Sequence, residues 1–121
     1  MAPLVIAETS ETPNVLMDKT QGKFQVTGRS LIDNGSTFYQ PIIEWLKEYA
    51  KDPNSETAVS FKFEYLNIES SKSVLDLLTV LEKIKGATVI WYFNEEEEDM
   101  EEIGEELAEL VTIPFKFEMY S

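Results

Sequence analysis

Asn67-Ile68-Glu69-Ser70-Ser71-Lys72 gathers an amide, a carboxylate, two hydroxyls and an ammonium in one short turn between an alternating strand and an amphipathic helix. A helix start leaves N–H groups unpaired and carries the positive end of the macrodipole, so it favours an anion, including a phosphate carried by a nearby hydroxyl. The simpler roles are structural. Ser70 and Ser71 have the right chemistry for helix capping, which contributes about 1 kcal/mol. Asn67 is a turn former, and Glu69 supplies a permanent charge.

A second group is Arg29, Ser30 and Asn34, expected in a loop ahead of a helix. An arginine there either makes a surface ion pair, braces the loop or meets an acidic group on a partner. Trp91, Tyr92 and Phe93 occupy successive positions of one apolar strand, so at least one of these aromatics must point away from the core. Its outward ring is either ordinary packing or part of an interface. The run Glu95–Asp99 raises a metal question, but it lacks the ligand spacing of a calcium loop, and neighbouring helical residues splay apart. A solvated helix face is the expectation there. No metal and no cofactor is expected.

With neither cysteine nor histidine in the chain, Cys–His and Ser–His nucleophile pairs, disulfides and thiolate metal sites are excluded. No glycine-rich phosphate loop is present. The sequence therefore supports binding better than catalysis, and no catalytic residue is assigned.

The elements that must hold these residues follow from periodicity. Pro3–Glu8 and Pro13–Asp18 read as short strands, and Phe24 and Val26 alternate with Lys23, Gln25 and Thr27 in a hairpin closing on Gly22. Residues 28–36 read as a loop, followed by a helix from about Thr37 to Lys51 with Phe38, Ile42, Trp45 and Tyr49 on one face and Pro41 either near its start or at a bend. Thr57–Lys85 is a strand, turn and helix, with Val59, Phe61, Phe63 and Tyr65 on one strand face and Val74, Leu77, Leu78, Leu81 and Ile84 on the helix stripe. Gly86 is its C-terminal stop. Ala87–Asn94 is a central strand. Asn94 then caps an acidic helix reaching about Leu110, with Met100, Ile103, Leu107 and Leu110 inward and Gly104 marking close packing. Ile113–Tyr120 closes the chain. The order β-β-β-α-β-α-β-α-β predicts an α/β fold in two layers, a mixed sheet with parallel crossover pairs and helices mainly on one face, in a single domain over 1–121.

The chain is 121 residues long with a net charge of −13, which argues against nucleic acid and anionic membranes as partners. Ten of the 23 acidic residues lie in 95–109, leaving thirteen against ten basic elsewhere, so the acidity belongs to one element. No apolar run has the length of a membrane span, and the N-terminus lacks the features of a signal peptide. A soluble cytoplasmic protein is expected, with no membrane insertion.

Three segments together resemble the SiaC family of bacterial regulatory phosphoproteins, whose fold is like the STAS domains of anti-sigma-factor antagonists. The first is Gly28-Arg29-Ser30 with Asp33-Asn34 and then Phe38-Tyr39-Gln40-Pro41-Ile42-Ile43-Glu44-Trp45-Leu46. The second is Phe63-Glu64-Tyr65-Leu66-Asn67-Ile68-Glu69-Ser70-Ser71-Lys72, running into Leu75-Asp76-Leu77-Leu78. The third is Val89-Ile90-Trp91-Tyr92-Phe93 with the acidic run and Met100-Glu101-Glu102-Ile103-Gly104-Glu105-Glu106. The resemblance implies a STAS-like, non-catalytic switch that promotes a diguanylate cyclase when unphosphorylated, with a kinase and a phosphatase setting its state. It also implies a phosphoacceptor threonine just after the asparagine of the strand-to-helix turn, a position that here holds Ile68. Ser70 and Ser71 are the nearest hydroxyls; alternatively Glu69 supplies a fixed charge and the switch is lost or moved. Other expectations are an adaptor in a different partner-switching circuit, or a small enzyme or ligand-binding domain using the open sheet face.

Overall fold

The computed structural model describes residues 1–33 and 35–121. Its elements run β1 (Leu4–Ile6), β2 (Asn14–Asp18), β3 (Lys23–Ser30), α1 (Gly35–Tyr49), β4 (Thr57–Leu66), α2 (Ile68–Leu81), β5 (Ala87–Asn94), α3 (Glu98–Glu109) and β6 (Phe115–Tyr120). The six strands lie side by side in chain order. β1, β2 and β3 pair antiparallel, and β3 through β6 pair parallel. The mixed α/β architecture and its element order match the expectation from periodicity. Each crossover steps the same way along the sheet, and right-handed connections of that kind put their helices on one face.

Register explains how alternation becomes a core. Leu4, Met17, Phe24, Val59, Val89 and Phe115 form one row across all six strands, and Ile6, Val15, Val26, Phe61, Trp91 and Phe117 form the next. The central members of both rows are buried beneath the helices. The opposite face carries Gln25, Ser60, Ile90 and Lys116 in one row and Asn14, Thr27, Lys62, Tyr92 and Glu118 in another, a mainly polar surface. α1 packs on α2, while α3 lies on β5 and β4.

Trp91 fixes the seat of α3. Its ring is fully buried, within 6.2 Å of Phe61, Phe63 and Phe115 between centroids, and its Nε1 donates to the Met100 carbonyl at 3.0 Å. A Cβ on Gly104 would stand 2.5 Å from Trp91 Cδ1 and Nε1. The glycine lets helix backbone rest directly on the indole, in keeping with the close packing expected at that position.

Several boundaries differ from the sequence reading. Arg29 and Ser30 belong to strand β3 rather than to a loop. α1 starts at Gly35 and ends at Tyr49, with Pro41 inside it on the exposed side, where water can satisfy the carbonyl that proline leaves unpaired. α2 ends at Leu81, five residues before Gly86, which instead turns the chain at φ 82°. Asn94 does not cap α3. Its Oδ1 accepts from the Glu96 N–H at 2.9 Å in a local turn, and the helix begins only at Glu98. Leu110 lies at the helix end, 65% exposed, rather than on the buried stripe. Tyr65 is also exposed. A register shift opposite Gly28/Arg29 aligns Phe63 with Gly28 but Tyr65 with Arg29, so the added residue turns Tyr65 outward and sends Leu66 into the core.

Candidate functional site

The β4–α2 turn is built from a single cap. Asn67 is the N-cap of α2, with extended backbone, and its Oδ1 accepts from the Ser70 N–H at 2.9 Å. Its Nδ2 donates to the Ile32 carbonyl and its N–H to the Ser30 carbonyl, which ties the turn to the end of β3. Capping therefore falls to Asn67 rather than to Ser70 or Ser71.

Ser70 is fully buried in a chain of hydroxyls. Its Oγ donates to the Ser30 carbonyl at 3.1 Å, and the Ser30 Oγ donates to it at 2.7 Å. With its only proton so used, Ser30 Oγ accepts from the Tyr39 hydroxyl at 2.8 Å. Tyr39 is buried as well, and desolvation pushes its pKa up to about 12 despite the bond to Ser30, so the phenol stays a neutral donor. These three side chains, one from each of β3, α1 and α2, lock the turn to the sheet.

On the outer side the turn presents different chemistry. Ile68, the first residue of α2, is 76% exposed. It opens onto a groove of about 290 Å³ between α2 and α3, lined on the apolar side by Leu66, Leu75, Ile103, Leu107 and Leu110. Ser71 and Lys72 border it from α2 and Glu106 from α3. The Ser71 hydroxyl, half-buried, donates to the Ile68 carbonyl at 2.9 Å. Lys72 and Glu69 form an exposed ion pair at 3.2 Å, of little energetic weight.

The SiaC family of regulatory phosphoproteins matches residues 6–120, nearly the whole chain. The chain belongs to that family. SiaC of Pseudomonas aeruginosa superposes with a TM-score of 0.89 at 24% identity, over 99% of this chain and all of that one. SiaC in the crystal structure of the diguanylate cyclase SiaD in complex with its activator SiaC, from the same species, gives a TM-score of 0.88 at 25% identity, over 97% and 99% of the two chains. An uncharacterized protein of Pseudomonas aeruginosa strain UCBPP-PA14 is 25% identical over 124 residues, covering 99% of this chain and 98% of its own length.

Seen as a SiaC-family fold, the candidate residues separate into three groups. Ile68, Glu69, Ser71 and Lys72 share the outer surface of the turn with the groove. Ser30, Ser70 and Trp91 are buried, and Trp91 offers no surface to a partner because its ring is the seat of α3. Arg29 and Tyr92 lie on the open sheet face, Arg29 beside the exposed Tyr65 and Tyr92 between Lys62 and Glu118. Asn34 falls outside the described residues. Among the described residues, no three acidic side chains converge as metal ligands would, and Glu95–Asp99 are all exposed.

Sequence reasoning missed two parts of the site. Tyr39 was hidden because its neighbour Phe38 fits the same helical stripe, although only Tyr39 is fully buried. The groove is hidden from the sequence because Ile103 and Leu110 share the stripe spacing of α3, yet both line its wall, Ile103 while also packing on the core.

Proposed function

We propose that this chain is a non-catalytic regulator that docks onto a diguanylate cyclase through Ile68 and the α2–α3 groove. In this reading it works in the cytoplasm, where such an enzyme finds its nucleotide substrate. The observation that carries the reading is Ile68 itself, an isoleucine with most of its surface in water at the mouth of an apolar groove. Leaving apolar surface of that kind exposed is unfavourable unless a partner covers it. Family membership and the activator role of SiaC in the complex with SiaD support the choice of partner. No helix of the described residues is long and apolar enough to cross a membrane.

The same turn would carry the control. Of the two nearby hydroxyls Ser70 is sealed in the core, so Ser71 is the one a kinase can reach and a phosphatase restore. A phosphate on Ser71 adds about two negative charges beside Lys72 and Glu106, at the wall of an apolar groove. Desolvating that charge on docking is costly, so phosphorylation would release the partner.

The test uses immobilised wild-type protein and Ile68→Asp in lysate of the native organism. The wild type is expected to hold a diguanylate cyclase and raise its cyclic di-GMP synthesis, and Ile68→Asp to lose both at least tenfold. A cyclase held equally by both forms removes the groove from the interface. Retention of no cyclase by the wild type removes the reading.

A further inference from the structure

We propose that β6 is a self-pairing edge through which two copies of this chain join their sheets into one. β6 ends the strand order, and its pairing with β5 runs in unbroken register from Phe115 to Tyr120. An internal proline, a bulge and a covering helix, three of the devices that protect sheet edges, are absent from β6 among the described residues, so its guard against wrong partners rests on Lys116 and Glu118. The opposite edge, β1, is only three residues long.

The peptide groups show how a second strand would attach. The carbonyls of Pro114 and Tyr120 accept from β5 and its following turn, at Val89 N and Glu95 N. The two-residue period of a strand then turns the even-numbered peptide groups toward β5 and the odd-numbered ones outward. Phe115, Phe117 and Met119 therefore present their N–H and C=O groups at the free edge.

The side chains favour a second copy over an unrelated strand. In an antiparallel pair centred on Phe117, Phe117 faces itself and Phe115 faces Met119 of the other copy. Lys116 of each copy then faces Glu118 of the other. Phe117 and Met119 are 36% and 61% exposed, a cost that pairing would relieve. Lys116 and Glu118 already bond along the strand at 3.1 Å, so the dimer would carry an alternating set of four charges. The cross-strand charge pairs fall where the strands are not hydrogen-bonded and side chains approach most closely. The sequence Phe-Lys-Phe-Glu-Met is self-complementary only in this register.

Sedimentation of the full chain at physiological salt reads the result, since the −13 charge of each copy is then screened beyond about 8 Å. The wild type is expected to form dimers of twice its 13.9 kDa in a concentration-dependent way. Lys116→Glu and Glu118→Lys are each expected to weaken association about tenfold, by setting like charges face to face. Mixing the two variants restores dimers, because each then faces its opposite. Met119→Pro removes an outward N–H without touching the β5 ladder and gives a folded monomer by circular dichroism. A wild type that stays monomeric up to its solubility limit overturns the proposal. So does a dimer that survives Met119→Pro and both charge changes.

Discussion

Ser70→Asp is expected to destabilise the protein by about 3 kcal/mol or more at pH 7, whereas Ser71→Asp should stay within about 1 kcal/mol of the wild type. The two serines are adjacent in sequence and opposite in environment. Ser70 is wholly buried, with its oxygen between the Ser30 carbonyl and the Ser30 hydroxyl. A carboxylate there could accept from the hydroxyl but would face the carbonyl without a proton to offer. Ser71 stands at the groove wall with room to turn toward water.

The Ser70→Asp penalty also has a sign in pH. Burial raises the pKa of the introduced carboxylate in the folded state above its unfolded value of about 3.9. The folded state then binds the proton more tightly, so the penalty is smallest below the unfolded value and grows as pH rises through the folded one. Urea denaturation at pH 4 and pH 7 should therefore show Ser70→Asp recovering toward wild type at the lower pH. A variant as stable as wild type at both values would mean that the buried hydroxyl chain does not hold the turn. Ser71→Asp, though folded, should fail to stimulate the cyclase.

The second large effect is expected at Gly104. Alanine in place of glycine inside a helix ordinarily gains about 1 kcal/mol. Here the new methyl would meet the Trp91 ring at 2.5 Å, and that ring is packed on Phe61, Phe63 and Phe115 and hydrogen-bonded to Met100. The indole has nowhere to go, so α3 must lift from β5. Overpacking of this kind costs about 1–3 kcal/mol and should exceed the helical gain. Denaturant unfolding is expected to show net destabilisation, together with a change in the near-ultraviolet signal of tryptophan. Equal or greater stability in Gly104→Ala would mean that α3 is not seated on Trp91. Because Ile103 precedes this glycine, Leu107 follows it three residues on, and both line the groove, the same substitution should also weaken docking.

These sites also show what the sequence could and could not reveal. The inward faces of β3, β4 and β6 were legible because a half-covered strand writes itself as a two-residue alternation, whereas the rows that join the strands are set by their pairing. Gly104 stood out because glycine in a helix interior is unfavourable without a reason. Tyr65 misled because a bulge inserts one residue without changing local composition, and every side chain beyond it changes face. The capping role of Asn67 was ambiguous for a different reason: Asn67, Ser70 and Ser71 all have cap chemistry, and only the backbone path decides which one uses it. Leu110 fits the inward stripe of α3 by spacing alone, yet it lies just past the last helical residue and is exposed. The Ser30–Ser70–Tyr39 chain joins positions up to 40 residues apart, beyond the reach of any local pattern.

Hydrogen–deuterium exchange of the chain alone and with the captured cyclase gives the most direct measurement of where a partner sits. Docking at the turn predicts new protection concentrated in residues 66–75 and 103–110, the two walls of the groove, with β1 and β2 unchanged. Protection confined to the open sheet face around Arg29 and Tyr92, with residues 66–75 and 103–110 exchanging as in the free protein, would contradict it.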